Sequence, residues 1–186
     1  MKSINTFADH APKIEWIQNF FEKGNEFFTD NTLGPMQISM FKRFLSDAKL
    51  AEKNKTTQFY DVITRLGWES EEAWGLILVQ LAYQNPQIKW YIDNMPINET
   101  FPRQYLEDKL VEAEISPKDA KSILKAFKRL TEIPLGYVIN FGITENSGRQ
   151  ISSLRRCKST LSSKLVLLYA LYRYAEACEG YYQFNL

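Results

Sequence analysis

Residues 116–156 read SPKDAKSILKAFKRLTEIPLGYVINFGITENSGRQISSLRR. Ser116 before Pro117 is a helix start, because the hydroxyl caps an orphan backbone N–H and proline suits the first helical position. From there to Thr131, Ala120, Ile123, Leu124, Phe127 and Leu130 fall on one face at 100° per residue. Lys118, Lys121, Lys125, Lys128 and Arg129 fall on the opposite arc. After Pro134 the period shortens. Tyr137, Ile139, Phe141 and Ile143 alternate with Val138, Asn140, Gly142 and Thr144, which predicts a strand over 137–143. Glu145 to Gly148 is a turn by composition. Residues 149–156 predict a weaker return strand, with Ile151 and Leu154 out of phase as at a bulge or a short pairing. A helix from Pro102 to about Ala113 precedes this stretch. Helix, turn, helix and hairpin is the order of a winged helix-turn-helix.

The pattern elsewhere is helical. A helix is predicted from Pro12 to about Phe28, and another from Pro35 with Met36, Met40, Phe41, Phe44, Leu45 and Ala48 on its apolar face. Lys49–Thr57 reads as a polar loop. Phe59–Leu66 restarts a helix that Gly67 ends. Ser70 caps a helix that is apolar nearly all round, as buried central helices are. Pro86 opens the next, with Ile88, Trp90 and Tyr91 as its large residues. A closing helix from about Leu161 to Glu179 offers Leu165, Leu168, Leu171 and Tyr172 for packing. The expected fold class is mainly α with a small β-hairpin. An N-terminal helical lobe, 1–97, holds a candidate degenerate helix-turn-helix at Leu33–Leu66. It packs on a winged helix-turn-helix plus closing helix, 98–186.

Composition narrows the function classes. The 186 residues are 45% hydrophobic, 24% charged and 14% aromatic, which suits one large or two small folded domains and excludes a disordered or collagen-like chain. The apolar run at Leu165–Leu171 is far short of a membrane span, and Met1–Asp9 has no signal-peptide pattern. Cys157 and Cys178 are too few for a disulfide framework or a zinc site. A cytoplasmic protein without a membrane partner is expected.

Catalytic chemistry has little to stand on. His10 is the single histidine, and no Ser–His or Cys–His relay is evident around it. The acids show no metal-ligand spacing, and Ser147-Gly148-Arg149-Gln150 is neither a Walker loop nor a dinucleotide fingerprint. No catalytic residue, metal or cofactor is expected. Charge is more telling. The net charge of +1 conceals segregation: 117–158 holds nine basic and three acidic side chains, a net +6, and the remainder holds 14 basic and 19 acidic, a net −5. A solvated helix face usually interleaves Glu with Lys, whereas this one has a single sign. The nine candidates for duplex DNA contact are Lys118, Lys121, Lys125, Lys128, Arg129, Arg149, Arg155, Arg156 and Lys158. Tyr181, Tyr182 and Phe184 are candidates for contact with a protein partner.

Several segments carry a resemblance. Leu33-Gly34-Pro35-Met36 with Phe41-Lys42-Arg43-Phe44-Leu45, Ala73-Trp74-Gly75, Leu81-Ala82-Tyr83-Gln84-Asn85-Pro86 and Trp90-Tyr91 resemble the accessory region after the catalytic domain of phosphoadenosine-phosphosulfate-reductase-like proteins. Leu168-Tyr169-Ala170-Leu171-Tyr172, Ala175-Glu176-Ala177-Cys178 and Gly180-Tyr181-Tyr182 resemble the same region, so the likeness spans nearly the whole chain. It is also similar to small companions of the sulfurtransferase in DNA phosphorothioation systems. The enzymes' Ser-Gly-Gly-x-Asp-Ser nucleotide loop is missing here. The resemblance therefore implies a non-catalytic accessory module, binding DNA beside a sulfurtransferase-like enzyme. The alternative is a subunit that docks on a reductase-like enzyme without touching DNA.

Overall fold

The computed structural model describes residues 4–147 and 150–178. In chain order these form α1 (Ile14–Lys23), α2 (Pro35–Asp47), β1 (Ala51–Glu52), β2 (Lys55–Thr56), α3 (Gln58–Leu66), α4 (Glu71–Gln84) and α5 (Pro86–Asn94). Then follow β3 (Thr100–Pro102), α6 (Arg103–Glu112), α7 (Pro117–Thr131), α8 (Pro134–Tyr137), β4 (Ile143–Ser147), β5 (Gln150–Arg155) and α9 (Lys164–Ala177). The chain is mainly α with small antiparallel sheets, as its periodicity predicts.

Helix starts follow their caps. The side chains of Thr57, Ser70, Asn85 and Ser116 accept backbone N–H bonds at the starts of α3, α4, α5 and α7, each worth about 1 kcal/mol. Buried residues from Phe7 to Val166 form one contiguous core, crossing Met95–Asn98 without a break. At its N-terminal end Phe20, Phe27, Phe41 and Tyr60 pack edge to face. Trp74, Tyr91 and Phe127 are fully buried further along. Each such side chain contributes roughly 1.5–3 kcal/mol by leaving water.

Several expectations are corrected. The strand expected over 137–143 is instead the short helix α8 followed by irregular chain. Pro134 starts that helix, and Ile139 and Phe141 are buried by a winding path, with Phe141 against Tyr91 at 4.5 Å, while Tyr137 and Ile143 are exposed. The hairpin lies further on. β4 pairs with β5 from Ile143↔Arg155 to Ser147↔Gln150, with a register shift between Glu145 and Asn146 that accounts for the phase break at Ile151 and Leu154. β3 adds a third strand on the other side of β5, giving the order β3-β5-β4. The helix expected from Pro12 to Phe28 splits at Gly24, where a left-handed backbone ends α1 and a 3-10 turn follows. Lys49–Thr57 contains the tiny β1–β2 hairpin, turned by Lys53 and Asn54 at positive φ. Met36 is exposed, so the buried face of α2 is Phe41, Phe44 and Leu45.

The closing helix α9 packs against α4. A Cβ on Gly75 would lie 2.7 Å from side-chain atoms of both Leu161 and Val166, so the missing side chain sets how closely the two helices approach. Val166 is the buried anchor; Leu165, Leu168 and Tyr172, expected to pack inward, are exposed. Among the described residues no helix is long and apolar enough to cross a membrane.

Candidate functional site

α7 holds its position through Ala120, Ile123, Leu124, Ala126, Phe127 and Leu130, all buried. That packing turns Lys121, Lys125, Lys128 and Arg129 toward a groove of about 660 Å³. Lys13 and Arg103 enter from the other walls, against the two acids Glu15 and Glu132. The walls are the start of α1, the start of α6, α7, and Gln150–Ile151 of β5. Six cations from three helical segments thus surround one concavity, an arrangement that attracts polyanions and focuses the field over a low-dielectric wall.

Two features organise the groove. Arg103 donates through Nε to Glu107 at 2.6 Å and through a terminal nitrogen to Gln150, so its guanidinium is fixed between α6 and the hairpin. The N-terminal segment forms the second. Thr6 is fully buried, its N–H bonded to Gln87 at 3.1 Å, and Phe7 packs on Phe44. This anchors Asp9 over α7, where its carboxylate accepts from Ser122 Oγ at 3.0 Å and Lys125 Nζ at 3.3 Å. Asn5 reaches Asp119 at 2.8 Å on the same helix. Partial burial opposes ionisation of Asp9, but the Ser122 bond and the Lys125 charge outweigh it and hold the carboxyl below its usual range.

The expected contact residues fall into separate places. Lys121, Lys125, Lys128 and Arg129 line the groove; Lys118, Arg155, Arg156 and Lys158 do not. Lys118 sits exposed in the first turn of α7, and Arg155 is exposed on β5 opposite Thr100. Lys158 is exposed where its backbone N–H bonds Asn98 and its carbonyl accepts from Asn140. Arg149, Tyr181, Tyr182 and Phe184 lie outside the described residues.

Arg156 has a different task. It donates to the carbonyls of Ile92, at 2.6 Å, and Met95, and its guanidinium carbon lies 5.9 Å from the Tyr91 ring centre. It therefore closes the C-terminus of α5, satisfying carbonyls that have no helical partner. Arg156→Ala is expected to lower folding stability by about 2 kcal/mol, since charge-assisted bonds contribute about 1.5–3 kcal/mol. Arg155→Ala is expected to change it by less than about 0.5 kcal/mol. Paired urea melts check this; equal midpoints for the two variants would contradict it.

Lys13, Arg103 and Asp9 escape a sequence reading. They lie roughly a hundred, twenty and a hundred residues from the lysine stripe, and only the packing of Thr6 and Phe7 and the β3–β5 pairing bring them to it. Among the described residues no three His, Cys, Asp or Glu side chains are grouped to hold a metal ion. A search of protein-family profiles, curated proteins and solved structures finds nothing that matches this chain.

Proposed function

We propose that the chain is a non-catalytic DNA-binding module whose groove grips the phosphate backbone of a duplex. The observation that supports this reading is the convergence of Lys13, Arg103, Lys121, Lys125, Lys128 and Arg129 on one groove, against the lining acids Glu15 and Glu132 and the carboxylates of Asp9 and Glu107 that pair with Lys125 and Arg103. Lysines dominate, so the contacts are to phosphate and set position and affinity rather than sequence. The succession β3, α6, α7, α8, β4, β5, with the short helix α8 between α7 and the hairpin, and the strand order β3-β5-β4 support a winged helix-turn-helix, in which α7 and the hairpin face the same nucleic acid. The resemblance to accessory regions of reductase-like and DNA-modification proteins points the same way, with a sulfurtransferase-like enzyme as the neighbour that does the chemistry.

The test is equilibrium binding of a labelled, mixed-sequence duplex at 50 mM salt. Micromolar or tighter binding is expected, and an absence of binding at 100 µM protein would remove the reading.

Asp9 adds an expectation of its own. Its carboxylate occupies donors that a phosphate oxygen would use, so Asp9→Asn should raise duplex affinity roughly three- to tenfold at 0.1 M salt. The pH sign follows from its depressed pKa. The Asp9–Lys125 attraction is complete above the unfolded carboxyl value and fades only as pH falls through the lower folded value. At neutral pH the contact is therefore fully formed, and the gain in Asp9→Asn should be the same at pH 6 and pH 8. A variant that binds no better than the parent would show that the carboxylate does not compete.

A further inference from the structure

A second cavity, of about 260 Å³, adjoins the cationic groove. It lies between the start of α1 and the loop that leads into α2, and Lys13 and Glu15 line both hollows. Trp16, Phe27 and Leu33 give it apolar walls, and Asn19 and Asn31 give it polar ones. Its volume suits one planar heterocycle and falls below the range of pockets that enclose a larger organic ligand.

The two asparagines differ. Asn31 is engaged by the loop itself, donating to the Phe27 carbonyl at 2.9 Å and accepting from the Leu33 N–H at 3.1 Å. The carboxamide oxygen of Asn19 is out of solvent and has no hydrogen-bond partner. A buried acceptor left unpaired is unfavourable, and folded chains rarely keep one. No hydrogen bond fixes this side chain, and its broad Cβ–Cγ torsion lets the amide turn toward the cavity. A ligand that offers a donor there relieves the penalty.

Lys13 decides the occupant. Its ammonium lies 6.0 Å from the centre of the Trp16 ring, at a wall of the cavity, and the same residue lines the groove. A phosphate held by Lys13 therefore brings its own base to the cavity mouth. Only a base outside the stack reaches in. We propose that the cavity takes a single unpaired base of the nucleic acid whose backbone lies in the cationic groove. The proposal rests on the nucleic-acid reading of that groove and adds to it a preference for a duplex with an unpaired nucleotide. Such a nucleotide is already free of the pairing that an extruded base must give up. Apolar walls take the faces of the base and Asn19 takes its polar edge, the division of labour found in pockets for extruded bases.

The experiment is an anisotropy titration of the full chain at 0.1 M salt against three labelled duplexes of one length. One is fully paired, one carries a single-adenine bulge, and one carries an abasic bulge at the same place. The abasic duplex keeps the flexible backbone and lacks the base. The adenine bulge is expected to bind about tenfold tighter than the paired duplex, and the abasic bulge about as the paired one does. Asn19→Leu keeps the side-chain volume and removes both polar atoms. It should erase most of the preference, leave affinity for the paired duplex unchanged and not lower the urea midpoint. Equal affinity for the paired and bulged duplexes would overturn the base cavity and leave the groove reading standing. An abasic bulge that binds as tightly as the adenine bulge would overturn it too, because backbone deformability alone would then account for the gain. So would an undiminished preference in Asn19→Leu. An absence of binding to all three duplexes would remove the groove reading and the cavity with it.

Discussion

Replacing Lys121, Lys125 and Lys128 together by alanine is expected to weaken duplex binding by about 100- to 500-fold at 0.1 M salt. Each phosphate neutralised adds about 0.9 to the dependence of log affinity on log salt, so removing three such cations weakens binding by a factor approaching 10^2.7 at that concentration. The slope itself should fall by up to about 2.7, and the weakening should be alike for unrelated duplex sequences. Stability should hardly move. Lys121 and Lys125 are exposed and Lys128 is half-buried, while the buried face of α7 that carries them is untouched. A variant with the parent's melting midpoint and the parent's affinity would exclude the groove as the binding surface.

The largest expected effect on the fold comes from Gly136. It is buried in α8, and a Cβ there would sit 1.9 Å from the carbonyl oxygen of Thr131, the last residue of α7. The obstacle is backbone, which has no rotamer to yield, so α8 or the end of α7 must move. Gly136→Ala should cost about 3–5 kcal/mol, above the usual range for overpacking because no side chain can absorb the clash. A urea midpoint lowered accordingly, with an unchanged m-value, is the expected result. Binding should suffer as well, since Lys128 and Arg129 occupy the last turn of α7. A cost below about 1 kcal/mol would show that the chain does not pass this closely behind α7.

How far the sequence was legible varies with the kind of signal. α7 is read to the residue because three independent cues agree: Ser116 as cap, Pro117 at the first position and an unbroken apolar face. α4 is legible through Ser70 as its cap and α5 through Pro86 at its first position, while the cap of α5, Asn85, appears only in the structure. The hairpin is misplaced because burial and alternation part company there. Ile139 and Phe141 alternate yet are buried by irregular chain, whereas β4, Ile-Thr-Glu-Asn-Ser, is an edge strand with little apolar pattern to detect. β3 is three residues long and paired only to β5, too short for any periodicity. The exposed face of α9 misled in the opposite sense, since its leucines read as core.

The site was legible by half. The stripe on α7 identifies Lys121, Lys125, Lys128 and Arg129 as the residues of that helix that line the groove, and charge segregation is what motivates the proposed phosphate contact. Arg156 shows the limit: as a charge near a strand end it resembles a phosphate contact, and only the carbonyls of Ile92 and Met95, over sixty residues away, reveal its structural use. Lys13 and Arg103 join the groove, and Asp9 reaches Lys125 on its wall, through tertiary packing alone, which no local spacing encodes.

The most direct measurement is the salt dependence of duplex affinity for the unmodified chain, by fluorescence anisotropy between 50 and 200 mM monovalent salt. With about five of the six groove cations on phosphates, log affinity against log salt should be linear with a slope of roughly −4 to −5. A slope shallower than about −2, or no measurable binding at 50 mM, would contradict a phosphate-gripping groove.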